Sequence, residues 1–326
     1  MKISRALLGV SGVLAPLAVL GCSGETISPV QPANLEAQVR HLQSRTSWIA
    51  PEAKNKDLLY VSDYESAEVT VYTYPGGKLV GTLTNFLQPA GECTDSKGDV
   101  FITDTALDDI TEYAHGGTSP IATLSDPGER PFGCSYDATT GNLGVTNVAT
   151  SHSSGQGSVG IYAHAKGTPK LYTDSSIYYY AYCGYDASGD LFADGLPYGS
   201  TGFQLAELAK GSGSLTNITI AQTIDFPGGV QWDGKYLAVG DRYEPYIYQF
   251  KIKGTTGLEE SFTPLGSGVS GTFQFWIHGK EVILGAPNYQ YEVFSFDYPT
   301  GGSAIGAVTN DVNFPLGLTL SLAASQ

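Results

Sequence analysis

The chain has 326 residues, 41% of them hydrophobic and 15% charged, which is enough apolar material for a core, excludes disorder as the main state and fits one large or two ordinary domains. Gly at 41 and Tyr at 21 are both high, the profile of many short strands joined by tight turns. With 17 basic against 32 acidic side chains, a net −15, the surface lacks the positive charge that neutralises phosphates, and DNA and RNA are excluded as partners.

At the N-terminus, Lys2 and Arg5 precede an apolar run from Ala6 to Leu20 interrupted by Ser11 and containing Pro16. This reads as a secretory signal. As a helix the run would span about 22 Å, short of the roughly 30 Å hydrocarbon core, so a permanent transmembrane helix is the weaker reading. The run ends Val19-Leu20-Gly21-Cys22-Ser23, which resembles a bacterial lipobox. That resemblance implies cleavage after residue 21, lipidation of Cys22, and an exported protein held at a bacterial membrane. An ordinary cleaved signal with an incidental Cys is the alternative. Lys2 and Arg5 are basic and the removed part carries no acid, so the exported part is still more acidic than the whole. Residues 22–57 are polar, contain Pro29, Pro32 and Pro51, and show one short helical pattern from Leu35 to Leu42; they read as a tether.

From 58 to 323 the chain repeats a unit of roughly 41 to 48 residues, the size of a propeller blade, leaving 324–326 as a tail. The clearest column runs Pro89 to Asp95, Pro131 to Asp137, Tyr180 to Asp186 and Pro227 to Asp233, with degenerate copies at Thr272 to Gly279 and Pro315 to Ala323. Each column Asp is followed by a Gly turn, at Gly98, Gly141, Gly189 or Gly234, and then by a second strand such as Val100-Phe-Ile102; such hairpins at fixed spacing are the expected signal. Third strands alternate in character, as in Ile110-Thr-Glu-Tyr113, and a more variable fourth closes each unit. Six units of four antiparallel strands, closed radially, predict an all-β, six-bladed β-propeller. The chain enters at a second strand, Leu58, and leaves at a first strand, Leu316 to Leu322, so the closing blade is expected to pair both termini.

The units Gly98-Asp-Val-Phe-Ile-Thr-Asp104 with Asp109-Ile-Thr-Glu-Tyr113, and Pro131-Phe-Gly-Cys-Ser-Tyr-Asp137, resemble NHL-type repeats of the NHL, TolB-like and gluconolactonase-like group of six-bladed propellers. The resemblance covers Leu58 to Ala323. It implies the fold and leaves activity open, because sensors, scaffolds and enzymes share this framework.

A residue recurring in every blade serves the blade, since one active site has no use for six copies. Asp63, Asp104, Asn147, Asp194 and Asp241 all end second strands, where a side-chain oxygen accepts from the following turn. The column Asp residues read the same way, and Tyr136, Tyr185 and Trp232 beside them read as filling between blades. Of five histidines, only His152 lies in an insertion without copies, Ala149 to Gly157. Cys93, Cys134 and Cys183 fall in consecutive innermost strands. Cys134 and Cys183 stand three residues before the column Asp and Cys93 two before it, so by strand alternation Cys134 and Cys183 point the same way around the ring and Cys93 is free to face Cys134 across a blade gap. A Cys93 to Cys134 disulfide suits an exported protein; buried free thiols are the alternative. No zinc spacing is present.

Function is expected on the face where loops enter the first strands and leave the second ones. There Tyr64, Glu92, Arg130, His152, Tyr198, Arg242, Tyr243 and Tyr289 mix tyrosines, acid and arginine, a set suited to a protein, peptide or glycan ligand. A lipid-anchored binding or scaffold module needs no catalytic set and no cofactor, and none is evident. The resemblance to gluconolactonase-like members implies the alternative of a metal-dependent hydrolase, with a divalent cation such as calcium held by Glu92, Asn147 and Asp194. A propeller lyase would rest on His152 alone.

Overall fold

The computed structural model describes residues 46–150, 155–199, 202–266, 268–287 and 291–324. The signal segment 1–21, Cys22, the tether before 46, His152 and Tyr289 lie outside the described residues. Within them the chain is all-β apart from two short 3-10 turns, Pro51–Asn55 and Ala163–Ala165.

Five sheets stand in a propeller-like ring. The closing sheet has the order Trp48–Ile49, Leu79–Leu83, Glu68–Thr73, Leu58–Asp63, Pro315–Ser321. Leu58 pairs with Ser321 and Asp63 with Pro315, so the two ends of the ring are sewn together antiparallel, as the sequence predicts. The second sheet runs Pro89–Thr94, Val100–Asp104, Asp109–Tyr113, Pro120–Ser125, and the third Glu129–Tyr136, Leu143–Thr150, Ser158–Tyr162, Lys170–Tyr172. The fifth comprises Phe275–His278, Glu281–Ala286, Glu292–Asp297 and Gly306–Val308.

The fourth sheet departs from the expected plan, because it has eight strands. One antiparallel meander, Tyr179–Tyr185 to Thr216–Ile220, meets another, Pro227–Trp232 to Thr256–Pro264, through a parallel pairing of Thr219 with Thr256 and Ile220 with Gly257. The cause is the long hairpin of Glu244–Lys253 and Thr256–Pro264, whose turn reaches the neighbouring outer strand. A Cβ on Gly257 would stand 2.8 Å from the Ile220 side chain, so glycine permits the approach. The pairing covers two strand edges that would otherwise face solvent.

Residues 46–57, expected within the tether, pack on the ring instead. Trp48 pairs with Thr82 and Ile49 with Gly81 as a fifth strand, and Ala53 is buried in the cluster of Leu58, Tyr60 and Val71. Burial falls outward along each sheet. Leu58–Asp63 and Val100–Asp104 are buried throughout, Asp109–Tyr113 alternates, and Pro120–Ser125 is mostly exposed. This gradient follows from stacking sheets around an axis, where second strands are covered on both faces.

The innermost strands touch in a closed cycle: Pro315–Ser321, Pro89–Thr94, Glu129–Tyr136, Tyr179–Tyr185, Pro227–Trp232, Phe275–His278 and back. Hairpin turns are fastened by the column aspartates. Asp95 accepts from the backbone N–H of Lys97 and Asp99, Asp186 from Ser188 and Asp190, and Asp233 from Lys235 and Tyr236. At the ends of second strands Asp104 accepts from the N–H groups of Leu87, Gln88, Ala106 and Leu107, and Asp241 from Asp225, Phe226 and Tyr243.

Candidate functional site

The two ends of the axis differ. Where the innermost strands begin, Ala90, Phe132, Tyr182, Phe273, Phe314 and Leu316 belong to one buried cluster. Gln274 braces it across the ring, its Oε1 accepting from Glu92 N at 2.9 Å and its Nε2 donating to Glu92 O. This end is packed rather than open.

Where the same strands end, a cavity of about 380 Å³ opens. Tyr136, Tyr185, Trp232 and Trp276 line it together with Ser135 and Asp186, over a floor that includes Cys93, Cys134 and Cys183. The Cys93 and Cys134 sulfurs form a disulfide between adjacent innermost strands, with Cα atoms 5.8 Å apart, and Cys183 is a buried free thiol. Tyr136 is held by stacking on Phe101, centroids 6.3 Å apart and planes 12° from parallel. Trp232 keeps a buried Nε1–H without a hydrogen-bond partner. Burial pushes the Tyr185 phenol far up, so it stays a neutral O–H. Gln231 is committed elsewhere, accepting from Ile277 N at 2.7 Å and donating to Ile277 O at 3.3 Å. The cavity therefore offers flat apolar faces with neutral donors at their edges.

Sequence reasoning placed Tyr136, Tyr185 and Trp232 as filling and looked to the opposite face. These rings are half-buried rather than sealed. The signal that pointed to them was their shared position one residue before the hairpin Asp, at the rim of the axis.

On the loop face, Tyr198 and Tyr243 are each 59% exposed. Tyr198 meets Tyr178 edge-on at 4.6 Å, and Tyr243 leans on Phe226 at 5.1 Å. Tyr64 and Arg130 are half-buried, and burial pushes the Tyr64 phenol up to about 12. Glu92 and Arg242, expected on this face, are buried instead. Arg242 is 5% exposed, with its guanidinium 5.0 Å from the Phe226 ring and 4.2 Å from that of Phe273. Two aromatic faces replace part of its hydration, which is why a charged residue is tolerated there. We expect Arg242→Ala to lower the melting temperature by several degrees, because it empties a packed site, while Tyr243→Ala leaves it nearly unchanged. Equal melting temperatures for the two variants would contradict this placement.

The three residues expected to share a metal have separate partners. Glu92 Oε1 accepts from Ser62 Oγ at 2.6 Å. Asp194 Oδ1 accepts from Tyr182 N at 2.8 Å. Asn147 Nδ2 donates to Ser158 Oγ at 3.0 Å. Burial pushes the Glu92 and Asp194 carboxyls well above the ordinary range, which favours their protonated forms. On the loop side of the second and third sheets, burial pushes Asp126 up to about 6, and burial with the charges of Asp104 and Asp108 pushes Asp109 to about 7.

No family model matches the chain, and no curated protein matches it in sequence. Among solved structures it is similar to a chain of a nidogen/laminin complex, with 12% identity and a TM-score of 0.65, covering 82% of this chain and 100% of that one. It is also similar to a protein of unknown function from Bacteroides caccae, with 10% identity and a TM-score of 0.62, covering 82% and 99%. At such identities the likeness is one of fold, and the fold is a β-propeller.

Proposed function

We propose that this chain is an exported, lipid-anchored, six-bladed β-propeller that binds a glycan, through a sugar ring seated in the aromatic cavity at its axis. The count of six takes the eight-stranded sheet as two blades, one for each meander, around the cycle of six innermost strands. Export and lipid attachment rest on Lys2, Arg5, the apolar run after them and Cys22.

The cavity carries the binding reading. Its volume of about 380 Å³ falls in the roughly 300–1,000 Å³ range of small-molecule sites. A sugar ring has apolar faces that rest on Trp and Tyr rings and a hydroxyl edge that meets donors such as Trp232 Nε1–H and Tyr185 O–H. Binding also fits better than metal-assisted hydrolysis does, since Glu92, Asp194 and Asn147 are held by separate partners, Ser62, Tyr182 and Ser158.

Trp232 and Trp276 line the cavity, and Trp48, the third tryptophan, lies far out on the closing sheet. Titration with soluble oligosaccharides should therefore shift the intrinsic fluorescence and saturate. Trp232→Ala should weaken binding at least about tenfold, as loss of a central aromatic anchor does. No response across a broad glycan panel, or binding indifferent to Trp232→Ala, would sink the proposal. The exposed Tyr198 and Tyr243 favour a second reading, a protein or peptide partner on the loop face. That reading requires capture to be lost in Tyr198→Ala with Tyr243→Ala and kept in Trp232→Ala.

A further inference from the structure

We infer that a calcium ion binds between the second and third sheets, at the loop face, held by Asp126, Glu129 and the amide oxygen of Asn147. Asp126 and Glu129 sit on the tight connection between these sheets. Glu129 N donates to Asp126 O at 3.1 Å, and Asp126 N donates to Asp108 O at 2.9 Å. Asp126 is 1% exposed, and neither of its carboxyl oxygens has a hydrogen bond of ordinary geometry. The side chains of Asn147 and Tyr162 lie against it, and the charged neighbours acting on it are Glu129 and Asp108. A carboxylate so placed faces like charge without a countercharge of its own, an arrangement that is costly in a buried site.

Asn147 supplies an independent sign. It is 0% exposed. Its Nδ2 donates to Ser158 Oγ, which donates onward to Glu129 Oε2 at 3.0 Å. The second Nδ2 hydrogen faces Asp126, and Asn147 Oδ1 is left buried with no partner; a half-turn of the amide, which exchanges its nitrogen and oxygen, brings that oxygen to the carboxyls. The strand pairing shifts before Asn147 as it does before Asp104 and Asp241, but Asn147 donates to Ser158 where those aspartates accept from the turn. It is turned into the acidic pocket instead.

Two carboxyls, an amide carbonyl and a neighbouring hydroxyl form an all-oxygen set, which suits a hard cation. Calcium accepts carbonyl ligands and irregular geometry, whereas magnesium demands a near-ideal octahedron and retains water. Among the described residues no three His, Cys, Asp or Glu side chains converge on one point. The inferred set needs only two carboxylates because Asn147 provides the third side-chain oxygen. The ion would clamp the two sheets that the Cys93–Cys134 disulfide also joins.

Calorimetric titration of the chelator-treated, purified protein with calcium chloride is expected to show one ion per chain, with a rise in melting temperature. Asp126→Asn keeps the side-chain shape and should weaken calcium binding at least about tenfold, since affinity follows ligand charge. Asn147→Leu should weaken it too. Glu92→Gln, near the axis and outside this set, should bind calcium like the wild type. The inference is overturned if the wild type binds no calcium, or if binding survives Asp126→Asn or is lost in Glu92→Gln. A melting temperature that rises on acidification and ignores calcium would also overturn it, showing that protons neutralise the pocket.

Discussion

Gly317→Ala is expected to lower the melting temperature by roughly 6–12 °C, or to abolish soluble expression. Gly317 lies in the closing strand Pro315–Ser321, opposite Ser62 of the strand that begins the ring. A Cβ built there would stand 1.8 Å from the carbonyl oxygen of Ala90, in the next innermost strand, and 2.8 Å from Gln274 Oε1. The first of these is backbone and cannot rotate away, so the strands must separate. Overpacking of this kind costs about 3 kcal/mol or more, and each kcal/mol is about 2–4 °C in a chain of this size. The effect is concentrated at the seam where both termini meet, and the sheets on either side depend on it for closure. Gly213→Ala is the control, since a Cβ there meets nothing within 4 Å. Equal melting curves for the two variants would show that the innermost strands are not packed this closely.

Much of this architecture is written in the sequence because blade geometry repeats. A hairpin Asp with a Gly a few residues later marks every inner turn from Asp95 to Asp233, and the side-chain bonds that explain it recur at each position. Closure by Leu58 and Leu320 strands follows from where the repeat begins and ends. The site was less legible, for reasons that are also physical. Arg242 follows Asp241 in a polar loop and reads as solvated; its partners Phe226 and Phe273 come from two different inner-strand approaches that only the folded ring brings together. Asn147 occupies the same column as Asp104 and Asp241, yet its amide donates to Ser158 where they accept from the turn, and column position alone does not report that exchange. The cavity depends on which end of the inner strands splays apart. Strand alternation says which residues share a face and nothing about that taper, so Tyr185 and Trp232 looked like core when they form the wall of an opening.

Replacing Cys93 and Cys134 together by serine is expected to cost about 4 kcal/mol, the chain-entropy estimate for a loop of this length. The two residues are 41 apart in sequence, and without the bond the unfolded chain regains the freedom of everything between them. The same variant separates two neighbouring innermost strands at the floor of the cavity, so its effect reaches the ligand site. Wild-type protein should lose roughly 10 °C of melting temperature in reductant, at about 2–4 °C per kcal/mol, whereas the double variant should be indifferent to reductant. Alkylation in denaturant without reductant should label Cys183 and spare the pair; labelling of all three would remove the bond from the account. If the bond holds, reduction should also blunt the fluorescence response of Trp232 and Trp276 to ligand. The rings that form the binding wall stand on the strands that the disulfide ties, and an oxidising compartment is then a requirement of the site as well as of the fold.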